Sequence, residues 1–327
     1  MTNKKMDCIS LLRMLSVFSI ISCHIMQFYN NELAWWFNTG VQIFLLISGF
    51  LYSQKNIELK EFYKKNITKI LFDYYIYLFI VLFVYFLFER NYLNLSGIIR
   101  AIIGKGGGIK GLEHTWFIST IIVCYLLTPF LQKLKNEIKN KLFLLISFFI
   151  LILCIEPLPC FPGTWINCYI IGYLFGAFSF NEKYKDIFNK VLFFILIVGI
   201  ITNIFQIYLQ YFLNIKYETK MEFLLYRYNK ILLALVILII FTNYLGNYKA
   251  KNNYIQYIYI YMNKYSYDIY LTHHIYILGP FSILNFSVFK GKILGIIIVF
   301  LLSIGSGIIL NILCEKIKLF LKLFKKE

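Results

Sequence analysis

Apolar runs, most of them between 15 and 23 residues long, follow one another along the whole chain and are separated by short polar gaps. A membrane-spanning helix needs about 20 apolar residues, whereas a transmembrane β-barrel shows alternating segments of about ten. The pattern therefore predicts an all-α, polytopic transmembrane helical bundle. We place about ten spans at residues 9–30, 38–54, 70–88, 114–132, 142–156, 164–180, 190–212, 231–246, 266–285 and 292–314.

The composition supports a membrane protein. Hydrophobic residues make up 60% of the 327 residues and charged residues 15%, against roughly 45–50% and 25% in average globular proteins. These values exclude a soluble globular domain and a disordered chain. The seven cysteines contain no Cys-x-x-Cys pair, so they indicate neither a zinc site nor a redox site.

The positive charge lies mainly in the gaps between the spans. The chain has 33 Lys and Arg residues against 16 Asp and Glu residues. With a cytoplasmic N-terminus, 22 positive residues fall in gaps on the inside and 10 in gaps on the outside, which agrees with the positive-inside rule. We therefore expect cytoplasmic termini and an even number of spans. The lysines then orient a multi-pass chain in the lipid bilayer of the plasma membrane, and they do not indicate nucleic acid as a partner.

The gaps also limit the domain organisation. None of them is long enough to hold a soluble domain of about 50 residues, and no long polar tail follows the last span. We expect residues 1–327 to form a single integral membrane domain without an appended soluble domain. Any chemistry then takes place in the bilayer or at its surface.

Ionisable residues inside a membrane helix are costly, so they are candidates for function. Arg13 and His24 lie eleven residues apart in the first span, close to three helical turns, so they share one face about 16 Å apart along the axis. Arg13 suits a phosphate group and His24 suits proton transfer. The alternative is an arginine that snorkels to the interface and a histidine bonded to a backbone carbonyl.

Three further histidines lie at or within predicted spans. His114 precedes Trp116 at the start of the fourth span, where an aromatic belt is the alternative to a binding role. His273 and His274 follow Asp268 in the ninth span. Neighbouring helical residues diverge by about 100°, so we expect at most one of this pair to face a given cavity. No close ligand spacing indicates a metal site.

A glycine-rich segment, residues 104–111, carries two lysines. Glycine amides can hold a phosphate, but the P-loop pattern is absent and the predicted topology places the segment outside. A flexible connector is the preferred interpretation.

Four stretches of the chain occur in order: the pair Arg13 and His24, residues 40–51, residues 114–118 and residues 266–273. Together they resemble the integral membrane acyltransferase 3 family, which comprises bacterial sugar O-acyltransferases. Arg13 and His24 are similar to its Arg-x10-His signature on the first helix, and residues 40–51 to its second-helix pattern Gly-Val-Asp-x-Phe-Phe-x-x-Ser-Gly-Phe-Leu. Residues 114–118 resemble its pattern x-Leu-Trp-Phe-Leu, and residues 266–273 its pattern Ser-Tyr-x-x-Tyr-Leu-x-His.

The chain departs from the family pattern at three positions. Gln42 stands where the family usually has Asp, and Cys8 and Ser10 alter the opening motif. Some relatives carry an appended hydrolase-like domain, which we do not expect here. The effect of Gln42 on the chemistry is left open.

The resemblance implies a ten-helix bacterial membrane enzyme that transfers an acyl group, usually acetyl, from cytoplasmic acyl-CoA to a hydroxyl of an envelope carbohydrate or lipid-linked sugar. Acyl-CoA is then a donor substrate, and no permanently bound cofactor is expected. His24 is the expected general base and Arg13 the expected acyl-CoA contact. The expected substrate-binding residues are Ser48, His114, Trp116, Tyr267 and His273.

Two other functions stay open. Ten helices with buried polar groups also fit a transporter or flippase for a lipid-linked or polar solute. The third possibility is a structural or assembly partner in envelope synthesis that has lost activity. Gln42 in place of the usual acid favours this interpretation, whereas the retained Arg13 and His24 disfavour it. Labelling of a carbohydrate that depends on acyl-CoA distinguishes the enzyme from both.

Overall fold

A computed structural model describes residues 3–138, 140–156, 163–179, 185–213, 220–244, 253–289, 291 and 293–323. Over these ranges the chain is helical and contains no β-strand, which confirms the predicted all-α class. The helices are α1 (Asn3–Phe28), α2 (Ala34–Phe37), α3 (Thr39–Ser53), α4 (Leu59–Phe88), α5 (Leu95–Ile102), α6 (Trp116–Glu137), α7 (Lys141–Ile155), α8 (Gly163–Ser179), α9 (Lys185–Ile207), α10 (Lys220–Ile239), α11 (Asn253–Thr272) and α12 (Ile293–Leu323).

Shorter helical turns complete the described fold. Short 3-10 turns occupy Arg90–Tyr92, Glu113–Thr115, His273–Tyr276 and Ile283–Asn285, and single π-helical turns extend α9 and α10 over Tyr208–Phe212 and Ile240–Tyr244.

Each of the ten predicted spans overlaps a helix. Within the described ranges, seven helical segments are long and apolar enough to cross a membrane: Cys8–Phe28, Ala34–Ser53, Leu59–Phe88, Glu113–Glu137, Asn189–Phe212, Leu225–Asn243 and Ile293–Leu321. The polytopic membrane architecture is thereby confirmed. The number of ten spans and the cytoplasmic termini stay predictions, because both chain ends and parts of the gaps at 183–190, 216–230, 249–264 and 316–326 lie outside the described residues.

The ninth predicted span differs from the structure at its end. The sequence predicts a helix to residue 285, but α11 ends at Thr272 and a 3-10 turn follows. The backbone N–H groups of Leu278 and Gly279 both donate to His274 O, and Pro280 has no N–H to continue a helix. His273 and His274 therefore lie in a 3-10 turn and not within the α-helix.

The helices pack as two compact units, each made of three chain segments. Unit 1 contains residues 1–16, 38–58 and 126–260, and unit 2 contains residues 17–37, 59–125 and 261–327. The predicted single-domain organisation of residues 1–327 is not tested by this grouping and stays a prediction.

Unit 1 is centred on the contact between α3 and α8. A Cβ atom at Gly49 would lie 2.0 Å from Tyr169 O, and one at Gly172 would lie 2.2 Å from Leu46 O. The two backbones therefore touch at these glycines, the close approach that small residues permit in membrane proteins.

Unit 2 contains all four histidines of the chain. In it, α12 packs on α4 and on the His273–Tyr276 turn. Thr272 Oγ1 donates to Ser303 O on α12 at 3.2 Å, and the Phe18 ring of α1 meets Phe300 edge-on at 5.8 Å. These contacts hold the end of α1 and the end of α11 against the same helix.

We predict that Gly172→Ala destabilises the protein by about 1–3 kcal/mol, because the added methyl group overpacks the contact with Leu46. Gly305→Ala is the matched control, since a Cβ atom at this helical glycine meets no atom within 4 Å. The measurement is thermal unfolding of both variants in detergent micelles. Equal unfolding temperatures would contradict the described contact.

Candidate active site

The four histidines of the chain converge in unit 2. The His24 ring lies 4.5 Å from that of His274 and 5.1 Å from that of His273, between ring centroids. The His114 ring stacks on His274 at 4.7 Å and meets His273 at 5.2 Å. We call His24, His114, His273 and His274 the histidine cluster.

Three separate elements place these side chains. His24 lies one turn before the end of α1, and His114 lies in the Glu113–Thr115 turn that leads into α6. His273 and His274 lie in the 3-10 turn after α11. Both rings contact His24 and His114, while the expectation that at most one of this pair faces a given cavity stays a prediction.

Backbone carbonyls fix two of the rings. His114 Nε2 lies 3.0 Å from Leu271 O, and His273 Nδ1 lies 2.6 Å from Tyr270 O. A carbonyl oxygen only accepts, so each of these nitrogens carries the hydrogen. In the neutral rings, His114 Nδ1 and His273 Nε2 then hold lone pairs.

These two lone pairs are buried. His114 is 2% exposed and His273 is fully buried, and neither nitrogen has a hydrogen-bond partner among the described residues. Buried polar atoms in proteins are nearly always hydrogen-bonded. The cluster therefore offers two acceptor atoms that a donor group of a ligand can satisfy.

His24 is only half-buried, unlike the other three rings. Its Nδ1 lies 2.6 Å from Oε1 of Gln27, three residues further along α1. Gln27 itself is exposed. Sequence reasoning did not single out Gln27, although the i, i+3 spacing on a helix is a signal that could have identified it.

Glu113 and His274 form a second contact that the sequence did not predict. Glu113 Oε2 lies 3.4 Å from His274 Nδ1 and accepts from Gly111 N at 2.7 Å. The two residues are far apart along the chain, and the contact joins the turn before α6 to the 3-10 turn after α11.

The glycine-rich segment holds the turn that carries His114. Gly106 adopts φ +63°, and a Cβ atom there would lie 2.3 Å from Glu113 O. Arg100 Nε donates to Gly106 O at 3.1 Å, and Asn94 Nδ2 donates to Gly108 O at 2.7 Å. The segment thus packs against the residues before α6, and the side chains of Asn94 and Arg100 hold it in place by hydrogen bonds.

The remaining predicted site residues make other contacts. Arg13 and Ser48 belong to unit 1, where the Arg13 guanidinium lies 5.7 Å from the Phe44 ring and Ser48 Oγ donates to Phe44 O at 2.9 Å. Trp116 begins α6 beside Phe117. Of the seven predicted residues, the structure brings His24, His114 and His273 together.

Tyr267 and Asp268 also lie in unit 2, where each makes a hydrogen bond to another helix. Tyr267 Oη donates to Ile70 O at 3.0 Å, and Asp268 Oδ2 accepts from Asn311 Nδ2 at 2.8 Å. Asp268 is 1% exposed, so the hydrogen bond from the Asn311 amide offsets part of the free-energy cost of burying its carboxyl group.

Across the described part of the chain, no group of three or more His, Cys, Asp or Glu side chains is arranged to hold a metal ion.

We predict that Tyr270→Phe destabilises the protein by about 1–2 kcal/mol, because its buried hydroxyl donates to His114 O at 2.7 Å and that acceptor would lose this donor. Tyr75→Phe is the matched control, since the exposed Tyr75 hydroxyl donates to Ile102 O at 3.2 Å. Thermal unfolding in micelles measures both. An unaffected Tyr270→Phe protein would show that this bond does not hold the turn.

Comparison with known proteins agrees with the resemblance of the motifs. The acyltransferase domain family matches residues 6–312, a range that includes the whole histidine cluster. No curated protein and no solved structure matched the chain. Since the family match covers far more than half of the 327 residues, the chain belongs to the acyltransferase 3 family of membrane acyltransferases.

Proposed function

We propose that this acyltransferase moves an acetyl or other short acyl group from cytoplasmic acyl-CoA to a hydroxyl of an envelope carbohydrate at a bacterial inner membrane. Membership of the acyltransferase family supports the reaction class. The observation that carries the proposal is the position of His24, whose half-buried ring joins three buried histidines while its Nδ1 is already engaged by Gln27.

His24 Nε2 acts as the general base of the transfer. It takes the proton of the acceptor hydroxyl as the oxygen attacks the thioester carbonyl. The C–O bond forms, the C–S bond breaks, and the proton passes from His24 to the departing thiolate. The step consumes and releases no further proton, so acyl-CoA and the acceptor are the only reactants.

The acceptor nitrogens of the cluster favour a polyhydroxylated acceptor. His114 Nδ1 and His273 Nε2 have no donor among the described residues, and each can take the hydrogen of a hydroxyl group. A carbohydrate carries several such hydroxyls close together. The sugar hydroxyl to be acylated then lies at His24, and a neighbouring hydroxyl binds to the buried nitrogens.

Arg13 is proposed to hold a phosphate of acyl-CoA. A positive charge in the first span is costly, which makes it a candidate for a functional contact, and arginine suits phosphate geometry. Gln42, which replaces the usual acid, is buried in α3 at 3% exposure and adds no negative charge. Acyl-CoA is a consumed substrate in this scheme, not a resident cofactor.

The negative charge that develops on the thioester carbonyl oxygen needs a hydrogen-bond donor. Ser48 Oγ and Tyr267 Oη already donate to backbone carbonyls, so either hydroxyl would have to leave its acceptor in order to stabilise the oxyanion. The Trp116 indole can donate a hydrogen bond and can stack on the face of a sugar. We therefore assign Trp116 to binding of the substrate.

We predict that His24→Ala lowers acyl transfer at least about 100-fold, the range expected for loss of a general base. The measurement is O-acetyl content of purified surface glycans, together with transfer from labelled acetyl-CoA in membrane vesicles. Tyr75→Phe, at matched membrane levels, is the control. Unchanged O-acetyl content in cells that lack the chain would contradict the acetyl transfer itself, whereas loss in those cells but not in His24→Ala cells would remove His24 as the base.

We predict that Arg13→Ala raises the KM for acetyl-CoA about tenfold or more, because a charge-assisted hydrogen bond to phosphate is lost, while Arg13→Lys keeps part of the affinity. Arg90→Ala is the matched control, since Arg90 also packs over a phenylalanine ring, that of Phe86, at 4.4 Å. A KM within twofold of wild type for Arg13→Ala would contradict the acyl-CoA contact.

A further inference from the structure

We infer that Gln27 is a positioning residue, which determines the nitrogen of His24 that carries the hydrogen and so keeps Nε2 free to act as the base. This inference rests on the proposed function of His24. It assigns a role to a residue that lies outside the motifs by which the family was identified.

The contact between the two side chains is direct. Gln27 Oε1 lies 2.6 Å from His24 Nδ1, within the last turn of α1. An amide oxygen only accepts, so His24 Nδ1 bears the hydrogen and the neutral ring has its lone pair at Nε2. His114 and His273 are fixed by backbone carbonyls in the same manner, so three of the four rings have one nitrogen assigned by an acceptor.

Gln27 is exposed, so its substitution removes the acceptor without opening a cavity. Substitution of Gln27 should therefore change the stability of the protein little. A change in kcat can then be attributed to the altered position of the hydrogen on His24.

Without this acceptor, no other hydrogen-bond partner of His24 within the described residues favours the Nδ1–H form. The ring then spends part of its time with the hydrogen on Nε2, where it cannot accept the proton of the hydroxyl, and part in other orientations. Groups that orient a metal-ligating histidine contribute a factor of about 10–100, and we expect a comparable factor for a histidine that acts as a base. The loss should fall on kcat, because Gln27 does not contact the substrates in this scheme.

The experiment compares Gln27→Met, Gln27→Glu and Gln27→Lys. Met has the shape of Gln without the acceptor, Glu restores an acceptor that cannot donate, and Lys can only donate. Each variant, in proteoliposomes, is supplied with labelled acetyl-CoA and with acceptor extracted from membranes of cells that lack the chain. Glu32→Gln, at an exposed position just after α1, is the control.

We expect Gln27→Met to lower kcat about tenfold or more, with the KM for acetyl-CoA within twofold of wild type. Gln27→Glu should recover kcat to within about threefold of wild type, and Gln27→Lys should be at least as slow as Gln27→Met. Nitrogen-15 spectra of histidine-labelled protein give a second readout, in which wild type and Gln27→Glu show His24 protonated at Nδ1.

Two results would overturn the inference while the proposed function stands: a Gln27→Met enzyme as fast as wild type, or a Gln27→Glu enzyme as slow as Gln27→Met. If wild type itself transfers no acyl group, the proposed function fails, and the nitrogen-15 spectra still decide whether Gln27 sets the hydrogen position. Should Gln27→Met be poorly folded, the comparison of Gln27→Glu with Gln27→Lys decides between acceptor and donor.

Discussion

The last turn of α11 supplies the hydrogen-bond acceptors on which the histidine cluster depends. The final carbonyl groups of an α-helix have no N–H partner within the helix. Two of them, those of Tyr270 and Leu271, accept from His273 and His114. In an apolar bundle an unsatisfied polar group costs several kcal/mol, so the helix end and the two imidazoles satisfy one another. The geometry of the site follows from the residue at which one helix ends.

Much of the fold follows from periodicity and composition, whereas only part of the site does. The apolar runs predicted the positions of the long helices, and the motifs identified the family and three of the four clustered histidines as site residues. The convergence of His273 and His274 was not predicted, since the apolar run indicated a helix to residue 285, whereas α11 ends at Thr272 and both residues lie in a 3-10 turn. The contact of Glu113 with His274 depends on that same turn. Gln27 was missed for a different reason, since its contact with His24 is local but lies outside the family motifs.

Carboxylates away from the cluster show how the bundle tolerates charged residues. Asp73 on α4 meets Lys318 on α12 at 2.7 Å, and in unit 1 the Glu156 carboxylate accepts from Tyr228 Oη at 2.6 Å and from Asn167 Nδ2 at 3.0 Å. Each carboxylate has a partner on another helix, as expected where water is scarce. Such polar contacts join helices within each unit.

The unequal burial of the four imidazoles has a consequence for how the cluster meets small reagents. His24 is half-buried, while His114, His273 and His274 are each at most 2% exposed. A solute that arrives at the cluster therefore encounters His24 before the other three. An acylating or alkylating reagent from the solvent would therefore label His24 faster than it labels the other three rings.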